Sequence, residues 1–249
     1  MLYSPSQRMA ATTGFPGFPP EGLKFLRDLK KHNNREWFTP RKEIFERTLR
    51  LPMLELVSQV HRKMLAFAPQ YVGEPAKCLY RIYRDTRFAK DKTPYKDHIG
   101  ALLWRNGLSK NSGSAYYFGI SGTCVEIAGG LYSPEPDTLL AVRQMIAAAP
   151  DEFRATYDKP KIRRLVGELK GEVLTRVPKG FDAESDAADL VKHKRFILYV
   201  ELDAALATTP KLLPEIVTRL EAMVPFVEYL NRPLVKKTAK IKIDERFLR

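Results

Sequence analysis

Residues 115–128, AYYFGISGTCVEIA, decide the fold. Two runs rich in aromatic and β-branched residues, 115–120 and 124–128, flank a short connection that contains glycine, and this pattern is typical of a β-hairpin. Gly129 and Gly130 continue the second strand. Paired glycines inside a strand indicate a bulge, or a position where another group comes close to the backbone. The middle of the chain is therefore expected to form an antiparallel sheet.

Further strands and helices are predicted on both sides of this hairpin. Short aromatic or β-branched runs predict strands at 78–83, 99–104, 173–177 and 196–202. The last is nearly all apolar and is expected to be buried on both faces. Apolar residues at helical spacing predict helices that begin near Pro20, Pro40, Pro134 and Pro210. Helices towards both ends and strands in the middle predict an α+β fold, with helices covering a mainly antiparallel sheet.

One domain is expected, at residues 15–232. It follows a flexible tail, 1–14, and precedes a basic tail, 233–249. Phe15 and Phe18 lie among prolines and a glycine, so an extended segment that docks its rings on the domain is predicted there.

The chain is strongly basic. Its 42 lysines and arginines stand against 29 acidic residues among 249, for a formal charge of +13. Such an excess favours anionic partners: phosphorylated small molecules, nucleic acid or an acidic membrane surface. No apolar run reaches the roughly 20 residues of a membrane span, and no signal pattern is visible. Cys78 and Cys124 are far apart and read as reduced thiols, so a cytoplasmic protein is expected.

Several enzyme motifs are missing from the sequence. It contains no GxxxxGK[ST] loop, no GxGxxG after a strand, no HExxH and no GxSxG. The four histidines are scattered, and neither cysteine has a close partner at zinc-site spacing. We therefore predict no metal site, although Asp85 and Asp91 are an alternative pair for magnesium. No cofactor follows from the residues.

The chemistry is concentrated in residues 81–98, RIYRDTRFAKDKTPYKDH, which hold three arginines, three lysines and three aspartates. Arginine binds phosphate or carboxylate through a planar fork, and lysine adds a movable charge. We expect a cleft for an anionic, phosphate-bearing small ligand, lined by Arg84, Arg87, Lys92 and Lys96. The candidates for acid–base chemistry in this cleft are Asp85, Asp91 and Tyr95.

Two other interpretations of this segment stay open. If 79–85 is extended, burial of Ile82 draws Arg84 inward, where Asp85, Asp91 or a ligand anion must neutralise it. Aspartate partners alone would make the segment a structural ion-pair network, in which loss of one buried partner costs about 3–5 kcal/mol. Contact with nucleic acid is the second alternative, but a basic patch for that purpose does not require interspersed aspartates.

Asn34 and Trp37 are predicted to form another wall of the same cleft. An asparagine amide can hydrogen-bond a ligand, and an indole can pack against it. The competing interpretation is structural, because Asn33 and Asn34 suit a helix end and Trp37 and Phe38 suit the core.

Several stretches together resemble a known family. They are FPPEGLKFLRDLKKHNNREWF at 18–38, RIYRDTRFAKDKTPYK at 81–96 and YYFGISGTCVEIAGGLY at 116–132, followed by shorter matches at 177–182 and 193–194. This order is similar to that of domain-of-unknown-function family 2461, a set of conserved hypothetical proteins with an RDxRFxxDKxPYK motif. The resemblance spans about 15–232 and implies a single domain. It implies no activity and no mechanism.

Overall fold

The structure is a computed structural model that describes residues 14–235. Within that part, five strands form one antiparallel sheet in the order β1-β2-β3-β5-β4. The strands are β1 His98–Trp104, β2 Ala115–Ser121, β3 Cys124–Leu131, β4 Leu169–Lys170 and β5 Phe196–Asp203. The predicted α+β fold and hairpin are confirmed. Residues 1–13 and 236–249, most of the two predicted tails, lie outside the described residues.

Helices precede, interrupt and follow the sheet in the chain. They are α1 Pro20–Lys31, α2 Arg35–Phe38, α3 Lys42–Phe45, α4 Leu51–Met64, α5 Pro75–Cys78, α6 Pro136–Ala148, α7 Pro150–Arg154, α8 Pro160–Val166, α9 Ala188–Val191, α10 Leu212–Ala222 and α11 Val224–Asn231. Short 3₁₀ turns add Thr39–Arg41, Pro69–Tyr71, Ala204–Thr208 and Arg232–Leu234. Among residues 14–235, none of the helices combines the length and the apolar character needed to cross a bilayer.

One face of the sheet carries the core. Phe118, Ile127 and Leu198 point to this face and are fully buried, and α4, α10 and α11 pack there. The aromatic rings of Phe15 and Phe18 join the same cluster, as the sequence predicts. Burial of this apolar face against amphipathic helices is the main force that holds sheet and helices together.

The opposite face is only partly covered, and we call it the open face. Along β3 and β5, burial alternates with a period of two. The open face consists of the side chains of His98, Leu102, Trp104, Ala115, Tyr117, Ser121, Cys124, Glu126, Ala128, Lys170, Ile197, Tyr199, Glu201 and Asp203, with Gly100 and Gly119 among them. The prediction that 196–202 is buried on both faces is therefore wrong, because Tyr199 is half-buried and Glu201 is exposed.

Gly129 and Gly130 lie in an unbroken ladder. They pair one-for-one with Leu198 and Ile197, so the expected bulge is not present at this position. The alternative, close approach to the backbone, is what the structure shows. A Cβ on Gly129 would meet Met223 Sδ at 2.7 Å, and Gly130 has a φ of 139° with its Cβ direction blocked by the Phe196 carbonyl at 2.0 Å.

Two predicted strands are wrong. Residues 78–83 begin at the end of α5 and then touch β1 only at the Leu79–Ala101 bridge. The chain leaves the sheet after this point, because Tyr83 forms its β-bridge with Tyr95 of the same segment and not with β1. Residues 173–177 hold only the isolated bridge between Val173 and His193, and the short strand lies earlier, at β4.

The long helical run after Pro40 is divided. A π-helical turn, Glu46–Arg50, separates α3 from α4, and Pro52 lies in the first turn of α4. A proline cannot donate to the preceding turn, so a break in the regular α-helical pattern just before it is expected. The predicted last helix is likewise two helices, α10 and α11, with Pro225 in the first turn of the second.

Candidate functional site

The charged segment 81–98 lies beside the outer edge of β1 and folds back on itself. Three backbone hydrogen bonds hold it. The N–H groups of Tyr80, Arg84 and Lys96 donate to the carbonyls of Gly100, Pro94 and Ile82, at 2.9, 2.9 and 2.8 Å respectively. Ile82 is buried, whereas Phe88 is 95% exposed. The segment is thus anchored at its two ends and projects into solvent between them.

Arg84 is held by the loop that follows it. Its guanidinium donates to the Asp91 carboxylate at 2.5 Å and to the Thr93 hydroxyl. The hydrogen bond from Arg84, followed by those from the backbone and hydroxyl of Thr93, lowers the pKa of Asp91 to about 2. Of the partners considered for Arg84, the structure shows Asp91, but the pair lies at the surface, with the Asp91 side chain 59% exposed, so the expected inward burial of Arg84 is not observed.

Arg87 and Lys92 also bond within this loop. Arg87 donates to both carboxylate oxygens of Asp85, at 3.0 Å and 2.7 Å, and this fork lowers the pKa of Asp85 to about 2. Lys92 Nζ donates to the carbonyl of Thr86 at 2.9 Å. Three of the four predicted ligand-binding cations therefore have partners in their own loop. Arg84 and Arg87 form ion pairs, as the ion-pair interpretation describes, but these pairs are exposed, and Lys92 bonds to backbone carbonyls.

Tyr95 belongs to the core. Its ring stacks on Phe38 at a centroid distance of 4.1 Å and is 4% exposed. Burial, together with the neighbouring Tyr83, raises the pKa of the Tyr95 phenol. The side-chain amide of Asn33 holds the backbone of Tyr95 through two hydrogen bonds, at 2.9 Å and 3.0 Å. Tyr95 is therefore placed to anchor the segment.

Asn34 and Trp37 have structural contacts with the first helices of the chain. The Asn34 side chain accepts from the Trp37 N–H at 2.9 Å and so caps α2. The Trp37 ring lies 5.2 Å from Phe25 and beneath the Arg41 guanidinium at 4.8 Å. Within residues 14–235, neither side chain bonds to Arg84, Arg87 or Lys92. The structure does not bring these two predicted groups into direct contact.

Lys96, the fourth predicted ligand-binding cation, has a different environment. Its Nζ lies 4.7 Å from the centre of the Tyr80 ring, and Lys110 Nζ lies 4.8 Å from the same centre. Lys110 also lies 5.2 Å from the Trp104 ring. Burial, and then the charges of Arg81 and Lys110, lower the pKa of Lys96. We call Arg81, Lys96 and Lys110 the cation group.

The cation group is not neutralised by the described chain. Across residues 14–235 no carboxylate lies within ion-pair distance of its three members, although other cations nearby, such as Lys77 and Arg84, have acidic partners. Lys110 Nζ donates only to the Lys77 carbonyl, at 3.0 Å. A lysine whose pKa is lowered by burial and by two neighbouring cations is a favourable place for an anion.

Next to the cation group, one row of residues crosses the open face. Tyr80 lies opposite Gly100, which pairs with Gly119, which pairs with Glu126. The ring of Tyr117 lies over the two glycines, since a Cβ on Gly100 or Gly119 would meet its hydroxyl at 2.7 or 2.3 Å. The glycines thus make room for a tyrosine that lies flat on the sheet.

Glu126 ends this row and receives hydroxyl groups from both sides. Tyr199 Oη lies 2.8 Å from Glu126 Oε1, and Tyr117 Oη lies 3.4 Å from Oε2. Burial and the nearby Glu126 raise the pKa of both phenols, so they stay protonated donors. Glu126, Glu201 and Cys124 place ligand atoms within 4.8 Å of one another and are the described residues that could hold a metal ion. The Tyr199 oxygen lies within hydrogen-bond distance of both Glu126 and Glu201, and its single hydrogen is donated to one of them at a time.

Sequence reasoning missed this row. Glu126, Tyr117 and Tyr199 each sit in an apolar strand pattern, and nothing in that pattern says which face the helices leave open. The signal available was the pair of small residues Gly100 and Gly119 in two neighbouring strands, since glycine in a strand marks a close approach.

The structure also has a groove that is lined by other residues. It has a volume of about 650 Å³ and is lined mainly by apolar residues of 14–16 and α10, with Lys63 as the one charged side chain in its wall. None of the predicted site residues contributes to it. It lacks the convergent polar groups that a ligand site usually has.

The site residues fall within a region that matches a known family. Residues 21–229 match a family model described as "Conserved hypothetical protein (DUF2461)". The matched region includes the charged segment, the cation group and the whole sheet. A search of curated proteins finds no match.

Proposed function

The chain belongs to the DUF2461 family of conserved hypothetical proteins, and from the arrangement of its side chains we propose that it binds an anionic, phosphate-bearing small ligand. The proposed site is the open face beside the cation group, Arg81, Lys96 and Lys110. Lys96 was expected from the sequence to bind this ligand, whereas Arg81 and Lys110 are added by their position.

One observation carries the proposal: Lys96 and Lys110 meet at the ring of Tyr80, with Arg81 near enough to lower the pKa of Lys96, and among the described residues none of the three has a carboxylate within ion-pair distance. Like charges held together are unfavourable unless an opposite charge joins them, and burial increases that cost. A phosphate brings negative charge and several acceptor oxygens to the same point. Its binding would therefore relieve the repulsion between Lys96, Arg81 and Lys110.

Arg84, Arg87 and Lys92 have a supporting role in this proposal. Their bonds to Asp85, Asp91 and the loop carbonyls fix the segment that presents Lys96. The candidates for acid–base chemistry are engaged likewise: both aspartates by arginines, and Tyr95 by burial. Binding, rather than a named reaction, is the function that this arrangement supports.

The signs of the charges on the open face favour a small ligand over nucleic acid. The cation group lies at the β1 side, Glu126, Glu201 and Asp203 lie on β3 and β5, and one lysine, Lys170 of β4, lies beyond them with its Nζ 4.9 Å from the Tyr199 ring. A strand of nucleic acid that crossed the sheet would bring phosphates onto these carboxylates. A small ligand can place its phosphate at one side only.

We place the protein in the cytoplasm, where its free thiols Cys78 and Cys124 would persist.

Calorimetric titration with inorganic pyrophosphate tests the proposal. We expect saturable binding to the wild-type chain, and loss of at least about tenfold in affinity when Lys96 and Lys110 are both changed to alanine. Lys42→Ala, at an exposed lysine of α3, is the matched control and should leave the affinity unchanged. Absence of binding to the wild type, or equal losses in both variants, would refute the proposed site.

Short single-stranded oligonucleotides provide the comparison with the competing function. If nucleic acid were the partner, they would bind more tightly than pyrophosphate, and their affinity would fall steeply with salt, by orders of magnitude between about 50 and 200 mM. On the proposed function, the oligonucleotides bind more weakly than pyrophosphate at both salt concentrations.

A further inference from the structure

We propose that the ligand of the open face is a nucleoside diphosphate or triphosphate, with its phosphates at the cation group, its flat ring on Tyr117 and its hydroxyl or amino groups at Glu126. This inference rests on the proposed phosphate site and extends it across the sheet. It depends on the row Tyr80, Gly100, Gly119 and Glu126, whose members are aligned by the strand register.

The length of the row sets the length of the ligand. Tyr80 and Glu126 are separated by three strand spacings of about 4.8 Å, or about 14 Å in all. Lys96 and Lys110 lie at the Tyr80 end. A free phosphate or a phosphorylated sugar is too short to reach both ends, whereas a nucleoside with two or three phosphates spans such a distance.

The middle of the row suits a flat ring. Gly100 and Gly119 have no side chains, and the ring of Tyr117 lies over both of them. The Tyr80 ring lies beside it, with its centre 6.3 Å from that of Tyr117 and its plane tilted by 50°, so Tyr117 alone offers the ring on which a base would stack. Flat aromatic surfaces of this kind stack on nucleobases, which all have a π-face, and each stacked base is worth about 1–3 kcal/mol.

The far end of the row accepts hydrogen bonds and repels phosphate. A carboxylate has about four acceptor positions. Glu126 competes with Glu201 for the single hydroxyl hydrogen of Tyr199, at 2.8 Å and 2.5 Å respectively, and receives the Tyr117 hydroxyl weakly, at 3.4 Å. The remaining positions can take hydrogen bonds from a ribose hydroxyl or a base amino group. The cation group at one end outweighs Lys170, the single lysine beside Tyr199 at the other, so the phosphates are expected at the cation group and the hydroxyl or amino groups at Glu126.

Calorimetric titration of the full chain with ADP, ATP, pyrophosphate and ribose 5-phosphate separates this inference from the proposed function. We expect ADP and ATP to bind at least about tenfold more tightly than pyrophosphate or ribose 5-phosphate, because stacking and the Glu126 contacts add to the phosphate contacts. Equal affinities for ADP and pyrophosphate would overturn the nucleotide inference and leave the phosphate site standing. Binding of none of the four would overturn both.

Two variants locate the nucleoside end. Glu126→Gln should weaken ADP about tenfold, through loss of a charged acceptor, without weakening pyrophosphate. Glu221→Gln, at an exposed residue of α10 on the other side of the sheet, is its control. Gly119→Ala should also weaken ADP alone, since the added methyl group meets the Tyr117 hydroxyl at 2.3 Å and must displace that ring. If ADP binding is unchanged in both folded variants, or if pyrophosphate weakens equally, the assigned orientation is wrong.

Discussion

The side-chain amide of Asn33 forms two hydrogen bonds with the backbone of Tyr95, 62 positions further along the chain. The amide nitrogen donates to the Tyr95 carbonyl at 2.9 Å, and the amide oxygen accepts from the Tyr95 N–H at 3.0 Å. Asn33 thus satisfies both the N–H and the carbonyl of Tyr95, as a residue in a neighbouring antiparallel strand would do. Because Lys96 follows Tyr95 directly, this contact also sets where the Lys96 side chain begins.

Asn33→Ala should therefore affect stability and binding together. It leaves the Tyr95 N–H and carbonyl without these partners, and we expect the free energy of unfolding in urea to fall by about 1–3 kcal/mol. Pyrophosphate affinity should fall as well. Asn33→Asp keeps the acceptor but loses the donor, so an intermediate loss is expected. If Asn33→Ala matches the wild type in both measurements, the contact does not position Lys96.

A second asparagine, Asn231, should be more costly to replace. It is 1% exposed, its amide donates to the Ser114 carbonyl and the Tyr71 hydroxyl, and its oxygen accepts from the Ser114 N–H, each at 2.8 Å. Asn231→Ala should lower the free energy of unfolding by about 3 kcal/mol, since buried polar groups lose their partners. Asn106→Ala, at an exposed asparagine, should cost about 1 kcal/mol or less. Equal costs would contradict the assigned role.

Buried His61 should make stability depend on pH. Burial lowers its pKa to about 4, from about 6.5 in the unfolded chain. Between these values the unfolded state binds the proton and the folded state does not, so stability falls as pH decreases from about 6.5 to about 4, by about 3 kcal/mol in total. Urea unfolding at several pH values measures this loss. His61→Gln should remove most of it, whereas His32→Gln, at an exposed histidine, should not.

The loop of Arg84 and Asp91 should be looser without its carboxylate. Asp91 accepts from Arg84 and from both the N–H and the hydroxyl of Thr93. In Asp91→Ala we expect faster hydrogen exchange at the Arg84 amide, which donates to the Pro94 carbonyl, because the two sides of the loop are no longer tied. Asp85→Ala is the control, since Asp85 bonds only to Arg87 among the described residues. Unchanged exchange in both would show that the ion pair does not hold the loop.

Much of the fold could be predicted from local patterns. The hairpin of β2 and β3, and the strand β5, have the aromatic and β-branched composition of strands with clear turn signals, and the structure confirms them. Residues 78–83 have the same composition but form no strand. A strand needs a partner along its length, and here the partner at position 83 is Tyr95 of the same loop. Composition alone does not contain that long-range choice.

The site was harder to predict than the fold, for a related reason. The sequence identified the charged segment and named Asp91 among the possible partners of Arg84, but it could not tell which of the cations would pair with a carboxylate. Arg84 and Arg87 find theirs within nine residues, at Asp91 and Asp85. Lys96 meets Lys110, which comes from a different loop. Only the folded chain brings these two lysines to one tyrosine.

The pKa of Lys96, followed by NMR of lysines labelled at the ε position, tests the central claim most directly. In the free protein we expect a pKa below the ordinary lysine value of about 10.4, because of burial and the charges of Arg81 and Lys110. Addition of pyrophosphate should raise it, since a bound anion favours the charged ammonium. The NMR signal of the Lys42 ε position should not move when pyrophosphate is added. If saturating pyrophosphate leaves the pKa of Lys96 where it was, the cation group is not the anion site.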